Sequence, residues 1–211
     1  MPSHKIHIKI GEEINKRLNL NDDLFLIGCV LPDLSEKIKH YKSHFKTNKE
    51  DHLFYNIELF VKEYDMNNPV LKGYLVHLLT DYYYNIYMKN NYFIIDKKLV
   101  GIKTKKGDYY NIASVITKLK QKEFTMYDYY LLNHHKFKKL SYNENIPKIK
   151  ECDYSLNYIK EYIDLYNDQI SHKCDKKIDY KILTQKELDD LFDNCIKFIV
   201  NYLENFNLII K

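Results

Sequence analysis

The sequence predicts an all-α fold, a single domain over residues 1–211 built as a bundle of about seven helices with one small irregular or hairpin insertion. Three observations lead there. Apolar residues recur at three- and four-residue steps along most of the chain. Only 5 Gly and 4 Pro occur in 211 residues, too few for long linkers or a turn-rich β-sandwich. Hydrophobic residues at 45% against 29% charged supply enough apolar side chain for a core without staples.

Residues 4–19 place Ile6, Ile10, Ile14 and Leu18 at i+4 steps, an amphipathic helix. Residues 21–31 open on Asn21-Asp22-Asp23, a cap and acidic first turn, and stop at Pro32. Residues 34–48 are charged, irregular and rich in His, and read as a loop, with a further amphipathic helix at 50–64. Asn68-Pro69 begins a long apolar helix to about residue 88, with Pro where its missing N–H is harmless. The pattern changes over 92–109, where Phe93-Ile94-Ile95, Leu99-Val100-Gly101-Ile102 and Lys106-Gly107-Asp108 read as the insertion. Helices resume at 110–122 and 125–136, then a polar stretch at 138–152. Helices at 154–171 and 184–206 complete the chain, the last opened by the capping box Thr184-x-x-Glu187.

Composition excludes several functions. The net charge is only +4, and 32 Lys against the single Arg17 removes the usual bidentate reader of phosphate and guanine. No specific nucleic-acid signal remains. The Lys, Tyr and Asn bias, with Ala113 the one alanine, reflects an AT-rich coding sequence more than a physical demand. The longest apolar run, 24–31, is far short of the roughly 20 residues that span a bilayer, so no transmembrane segment is expected. The N-terminal residues lack the apolar core and cleavage site of a signal peptide. Cys29, Cys152, Cys174 and Cys195 form no CxxC pair and read as reduced thiols of a cytoplasmic protein. No GxxxxGK[ST], GxGxxG or GxSxG occurs, which removes P-loop, dinucleotide and nucleophile-elbow chemistry.

Histidine is unevenly placed. Six of the 9 (His4, His7, His40, His44, His52, His77) fall in the first 81 residues, a clustering that codon bias does not produce. In Gly73-Tyr74-Leu75-Val76-His77-Leu78-Leu79-Thr80-Asp81, His77 and Asp81 share a helix face about 40° and about 6 Å apart. With 17 Asp in the chain that spacing arises by chance; its setting is the signal. Between Lys72 and Lys89 Asp81 is the only formal charge in an apolar helix. A buried carboxylate needs a hydrogen-bonding partner, such as His77 or a Lys, or a metal ion. Asp33 follows Pro32 at the lip of an apolar run, which is also ordinary turn chemistry, and His44 follows Ser43 in a loop. Together His7, Asp33, His44, His77 and Asp81 make a set of three imidazoles and two carboxylates that suits zinc.

The other histidines read differently. His40, among Lys37, Lys39, Lys42 and Lys46, reads as solvated, and His172, among Lys173, Lys176 and Lys177, as surface. Asp51-His52 reverses the His-Asp doublet of a rival helical phosphohydrolase fold. His134-His135 end a helix, where the dipole favours them. The sequence leaves the roles of His4, His52, His134 and His135 open. The Tyr runs at 82–84 and 127–130 read as core and core rim rather than base-stacking platforms.

The order Ile6-His7-Ile8-Lys9-Ile10-Gly11, Gly28-x-x-x-Pro32-Asp33, His44-Phe45 and Gly73-Tyr74-Leu75-x-His77-x-x-x-Asp81 resembles the zinc-dependent phospholipase C family. That family shares its helical fold with fungal single-strand-specific nucleases. The likeness covers about residues 4–88 and implies zinc ions bridged by a carboxylate, hydrolysing phosphoesters. It implies that Asp33, His44, His77 and Asp81 hold one ion, with Asp81 bridging toward a second completed by His7. Asp33, at the edge, is then the catalytic group that takes a proton from water or orients it. After Asp81 the chain departs from the family: 82–92 contains no His, and His134 and His135 are followed four places on by Lys138 and Lys139. One or two zinc ions are therefore expected rather than three. The domain divides into a metal-site half at 1–90, the insertion at 92–109 and C-terminal helices at 110–211. The expected function is a zinc-dependent phosphoester hydrolase. The alternative is a non-catalytic helical scaffold or binding protein with a degenerate metal site.

Overall fold

The computed structural model describes residues 2–20, 22–36, 40–46, 55–96, 98–110, 113–206 and 208. Helix α1 (His4–Arg17) is capped by Ser3, whose side chain accepts the Ile6 N–H, and carries Lys16 and Arg17 in its last turn. Ile6, Ile10 and Ile14 bury one face, and His7 goes in with them. Helix α2 (Asp23–Gly28) is capped by Asp22, and a 3-10 turn at Leu31–Leu34 begins with Pro32 near its N-terminus. The stretch expected as loop contains a short helix, α3 (His40–Ser43). Helix α4 (Ile57–Glu63) forms the C-terminal part of the helix expected at 50–64, and residues 50–54 lie outside the described residues.

Helix α5 (Pro69–Asn91) is capped by Asn68, which accepts the N–H groups of Val70 and Leu71. Every residue from 70 to 81 is buried, as its all-round apolar character requires. Its crossing with α2 is set by two glycines. A Cβ at Gly28 would stand 2.1 Å from the Val70 carbonyl oxygen, and one at Gly73 2.0 Å from that of Phe25. Only glycine lets the two backbones approach so closely, and the approach brings the end of α2 to the middle of α5.

The insertion is a sheet. Strands β1 (Phe93–Asp96), β2 (Lys98–Thr104) and β3 (Gly107–Tyr110) pair as an antiparallel meander, with Phe93 opposite Ile102 and Ile102 opposite Tyr109. The expectation of an all-α chain is corrected accordingly: the protein is mostly helical, with eight helices among the described residues and a three-stranded sheet. β-Branched and aromatic residues with no helical period account for it. Gly107, at φ 112°, supplies the left-handed residue after the turn.

The two helices expected at 110–122 and 125–136 are one, α6 (Ala113–His134). Ile116, Phe124, Tyr127 and Leu131 bury a single face, while Gln121, Lys122 and Thr125 lie on the outer face, where polar residues mimic a break. Glu123 is buried, and its carboxylate accepts the backbone N–H groups of Lys181, Ile182 and Leu183 at 2.8, 3.0 and 2.8 Å. Helices α7 (Leu156–Gln169), capped by Ser155, and α8 (Gln185–Asn205), with the expected Thr184–Glu187 capping box, complete the fold. α8 packs against α5 and α1. The four cysteines are free thiols. Among the described residues no helix is long and apolar enough to cross a membrane.

Candidate metal centre

The ends of α1, the 3-10 turn, α3 and the middle of α5 meet at one point. α1 contributes His7, the turn Asp33, the residue after α3 His44, and α5 His77 and Asp81 one helical turn apart. All five residues expected as ligands are brought together. Among the described residues, His7 and Asp81 are two of the five with buried polar side-chain atoms that lack a hydrogen-bonding partner, and the only two in which both polar atoms are so placed.

Backbone carbonyls orient two of the rings. His77 Nδ1 lies 2.8 Å from the Cys29 carbonyl oxygen, and His44 Nδ1 lies 2.8 Å from that of His40. A carbonyl only accepts, so each Nδ1 carries the hydrogen and each Nε2 presents a bare lone pair. Burial holds both imidazoles near a pKa of about 4, so they are neutral at physiological pH. Yet the two Nε2 atoms face each other at 3.0 Å. Two lone pairs at that distance repel unless a cation stands between or beside them.

The Asp81 contacts fit a cation better than hydrogen bonds. Asp81 Oδ2 lies 3.6 Å from His44 Nε2 and 3.7 Å from His77 Nε2, and Asp81 Oδ1 lies 3.6 Å from His7 Nε2. Asp33 Oδ1 lies 3.2 Å from His44 Nε2. A hydrogen-bonded imidazole and carboxylate in this protein, His135 and Glu12, stand at 2.6 Å. Ligand atoms about 2.0–2.2 Å from a tetrahedral ion stand about 3.3–3.6 Å from one another, close to the spacing of the cluster. The His77–carbonyl and His44–carbonyl bonds are the outer contacts that metal-ligating imidazoles ordinarily make.

The two carboxylates are in different states. Burial pushes the Asp81 carboxyl up, only partly opposed by His44. Burial also raises Asp33, but protons carried by the surrounding His77, His40 and His44 would outweigh it, and the balance lies well below the usual carboxylate range. Asp81 is fully buried, whereas the Asp33 side chain keeps 11% of its surface in solvent.

Two residues at the site were not expected there. His40 is exposed, as its reading as a solvated side chain expects, but its Nε2 also lies 3.4 Å from Asp33 Oδ1 and its ring stacks on His44 at 3.7 Å. The signal was the i,i+4 spacing of His40 and His44, outweighed by the surrounding lysines. His4 Nε2 lies 3.5 Å from Asp33 Oδ2, with its ring edge-on to Tyr162. Its signal was the i,i+3 spacing with His7. His134 bonds to the Tyr130 carbonyl and is exposed, His135 ties the end of α6 to Glu12 of α1, and His172 is exposed as expected. Asp51 and His52 lie outside the described residues. Compared with known protein families, curated proteins and solved structures, the chain finds no match.

Proposed function

We propose that the chain is a zinc-dependent phosphoester hydrolase of the kind the phospholipase C resemblance suggests. The observation that carries this is the pair of unprotonated Nε2 atoms of His44 and His77 at 3.0 Å, beside the partnerless carboxylate of Asp81. His7, Asp33, His44, His77 and Asp81 would hold the metal. Zinc held there would supply Lewis acidity toward a phosphoryl oxygen and a nucleophile from water near neutral pH. Asp33 is the carboxylate that reaches solvent; held well below its usual range, it stays ionised and orients water more than it stores a proton. His77 and His44, fixed by backbone carbonyls, keep their lone pairs aimed at one point without reorganisation.

The test is elemental analysis of protein purified without chelator, followed by hydrolysis of a chromogenic phosphodiester by wild type and Asp33→Asn. The expected result is bound zinc in the wild type and a hydrolysis rate that falls at least tenfold in the variant. Less than about half an equivalent of transition metal, with no uptake of added zinc, overturns the reading. A second reading, a non-catalytic scaffold with a structural ion, is favoured by the complete burial of His44, His77 and Asp81. It predicts bound zinc without turnover, and a melting temperature that falls on chelation.

A further inference from the structure

We propose that Tyr55 is a positioning residue of this centre, its hydroxyl supplying the hydrogen bond that holds the Asp81 carboxylate in place to bind a cation. The role rests on the reading of the cluster as a metal site. It begins with the helical phase of α5. His77, Asp81 and Asn85 follow one another at four-residue steps, about 6 Å apart along the axis and on one face. Asn85 is buried, and its side-chain amide donates to the Tyr55 hydroxyl oxygen at 2.8 Å. That bond takes up an acceptor place on the hydroxyl, so the phenolic hydrogen points elsewhere. One turn back along α5 stands Asp81.

Tyr55 reaches this point from another part of the chain. Lys46 and Tyr55 pair as an antiparallel bridge, and the Asn56 N–H donates to the Phe45 carbonyl oxygen at 2.7 Å. Lys46 comes two residues after His44. The backbone at Tyr55 is therefore tied to the segment that carries His44, while its hydroxyl meets the face of α5 that carries His77 and Asp81. The ring is held as well: Lys46 Nζ lies 4.9 Å from its centroid, and Tyr82 meets it edge-on at 6.4 Å. Tyr55 is itself buried. Burial first, then the charge of Asp81 and its capacity to accept this hydrogen, raise the phenol well above the ordinary tyrosine range, so it stays a donor.

Asp81 has lone pairs for both tasks. Each carboxylate oxygen carries two, and the oxygens of Asp81 lie 3.6–3.7 Å from the imidazole nitrogens of His7, His44 and His77. One lone pair of an oxygen can bind a cation while the other accepts a hydrogen. Neither Asp81 oxygen has a partner at hydrogen-bond distance, so the Tyr55 contact is longer than a formed bond. It closes as Asp81 takes up its ligating position. A hydrogen bond donated to the charged carboxylate favours the form that binds metal and fixes which lone pair faces the ion. Outer partners of this kind are worth about ten- to a hundredfold in metal affinity.

The experiment is zinc titration of the chelator-stripped full chain against a competing fluorescent chelator, for wild type, Tyr55→Phe, Asn85→Ala and the double variant. The visible spectrum of each protein loaded with cobalt instead of zinc is recorded alongside, and circular dichroism of the stripped proteins confirms that they fold. Tyr55→Phe keeps the ring, its backbone bridge and its contacts with Lys46 and Tyr82, and removes only the O–H. It is expected to weaken zinc binding about ten- to a hundredfold at unchanged stoichiometry and to shift the d–d bands of bound cobalt. Asn85→Ala frees the hydroxyl to turn, so it weakens binding less. The double variant loses no more than Tyr55→Phe alone, because both substitutions act on one contact. Zinc affinity of Tyr55→Phe within about twofold of wild type, with an unchanged cobalt spectrum, overturns the role and leaves the metal reading standing. Losses that add in the double variant also overturn it, since the two residues then act separately. A wild type that takes up no zinc overturns the metal reading, and this role with it.

Discussion

Replacing Asp81 by Asn should reverse its sign of effect with metal. The carboxylate is fully buried, neither oxygen has a hydrogen-bonding partner, and burial pushes its pKa up. Without metal it is therefore a liability: a buried polar group left unpaired costs about 1–3 kcal/mol, and more when charged. Asp81→Asn removes the charge at constant volume, so the chelator-treated variant should melt no lower than chelator-treated wild type. With zinc at about 100 times its dissociation constant, one site adds about 2.7 kcal/mol to wild type. For a chain of 211 residues, at about 2–4 °C per kcal/mol, that is a rise of about 5–11 °C. The variant should show little of this rise, because it lacks the charge that offsets the cation and the oxygen that reaches both His44 and His77. The assay is thermal unfolding of both proteins with excess zinc and with chelator, paired with metal stoichiometry. Equal destabilisation of the variant in both conditions, with unchanged zinc content, would refute the reasoning and make Asp81 an ordinary core residue.

Two further outcomes follow from other parts of the fold. Gly73→Ala places a Cβ 2.0 Å from the Phe25 carbonyl oxygen and 3.0 Å from the Cys29 nitrogen, forcing α2 from α5 and the Cys29 carbonyl from His77. It should cost about 1–3 kcal/mol or more and weaken zinc binding in calorimetry, and unchanged zinc affinity in the folded variant would separate the helix crossing from the site. Burial pushes the Asp128 carboxyl up to about 6, despite the hydrogen bond donated by Ser3. The folded state thus holds this proton more tightly than the unfolded state, so stability from this group declines as pH rises from about 4 to about 6 and stays lost above it. The ceiling is about 3 kcal/mol, brought to the order of 1–2 by partial exposure. Asp128→Asn should raise the melting temperature at pH 7.5 relative to pH 5 against wild type, and an identical pH slope in both proteins would contradict this.

Sequence alone was enough for the candidate ligands whose surroundings are local. Asp81 stands as a lone charge in an apolar helix, and its turn-mate His77 follows from the helical repeat, so both could be read before any contact was known. The capping box of α8 and the apolar periods of α1 and α7 are equally local, each decided within a few residues. The break expected inside α6 failed for a tertiary reason. Polar residues at 121, 122 and 125 resemble a turn, but the buried face formed by Ile116, Phe124 and Tyr127 continues the helix. The sheet at 93–110 likewise depends on partners up to nine residues apart, as between Phe93 and Ile102.

His40 marks the limit most sharply. Its neighbours in sequence are lysines, and exposure alone would class it as solvent-facing. Only the packing of α3 against the 3-10 turn puts its ring on His44 and its nitrogen near Asp33. The lone pairs of His44 and His77 are likewise undetermined by sequence, because either ring nitrogen can carry the hydrogen. Backbone carbonyls of His40 and Cys29 make that choice, and the Cys29 carbonyl arrives only because two glycines let α2 and α5 cross in contact. Residue types and helical phase therefore determined which side chains could ligate a metal. Backbone approach between distant segments decided which lone pairs converge, because tautomer and ring orientation depend on contacts that no local pattern encodes.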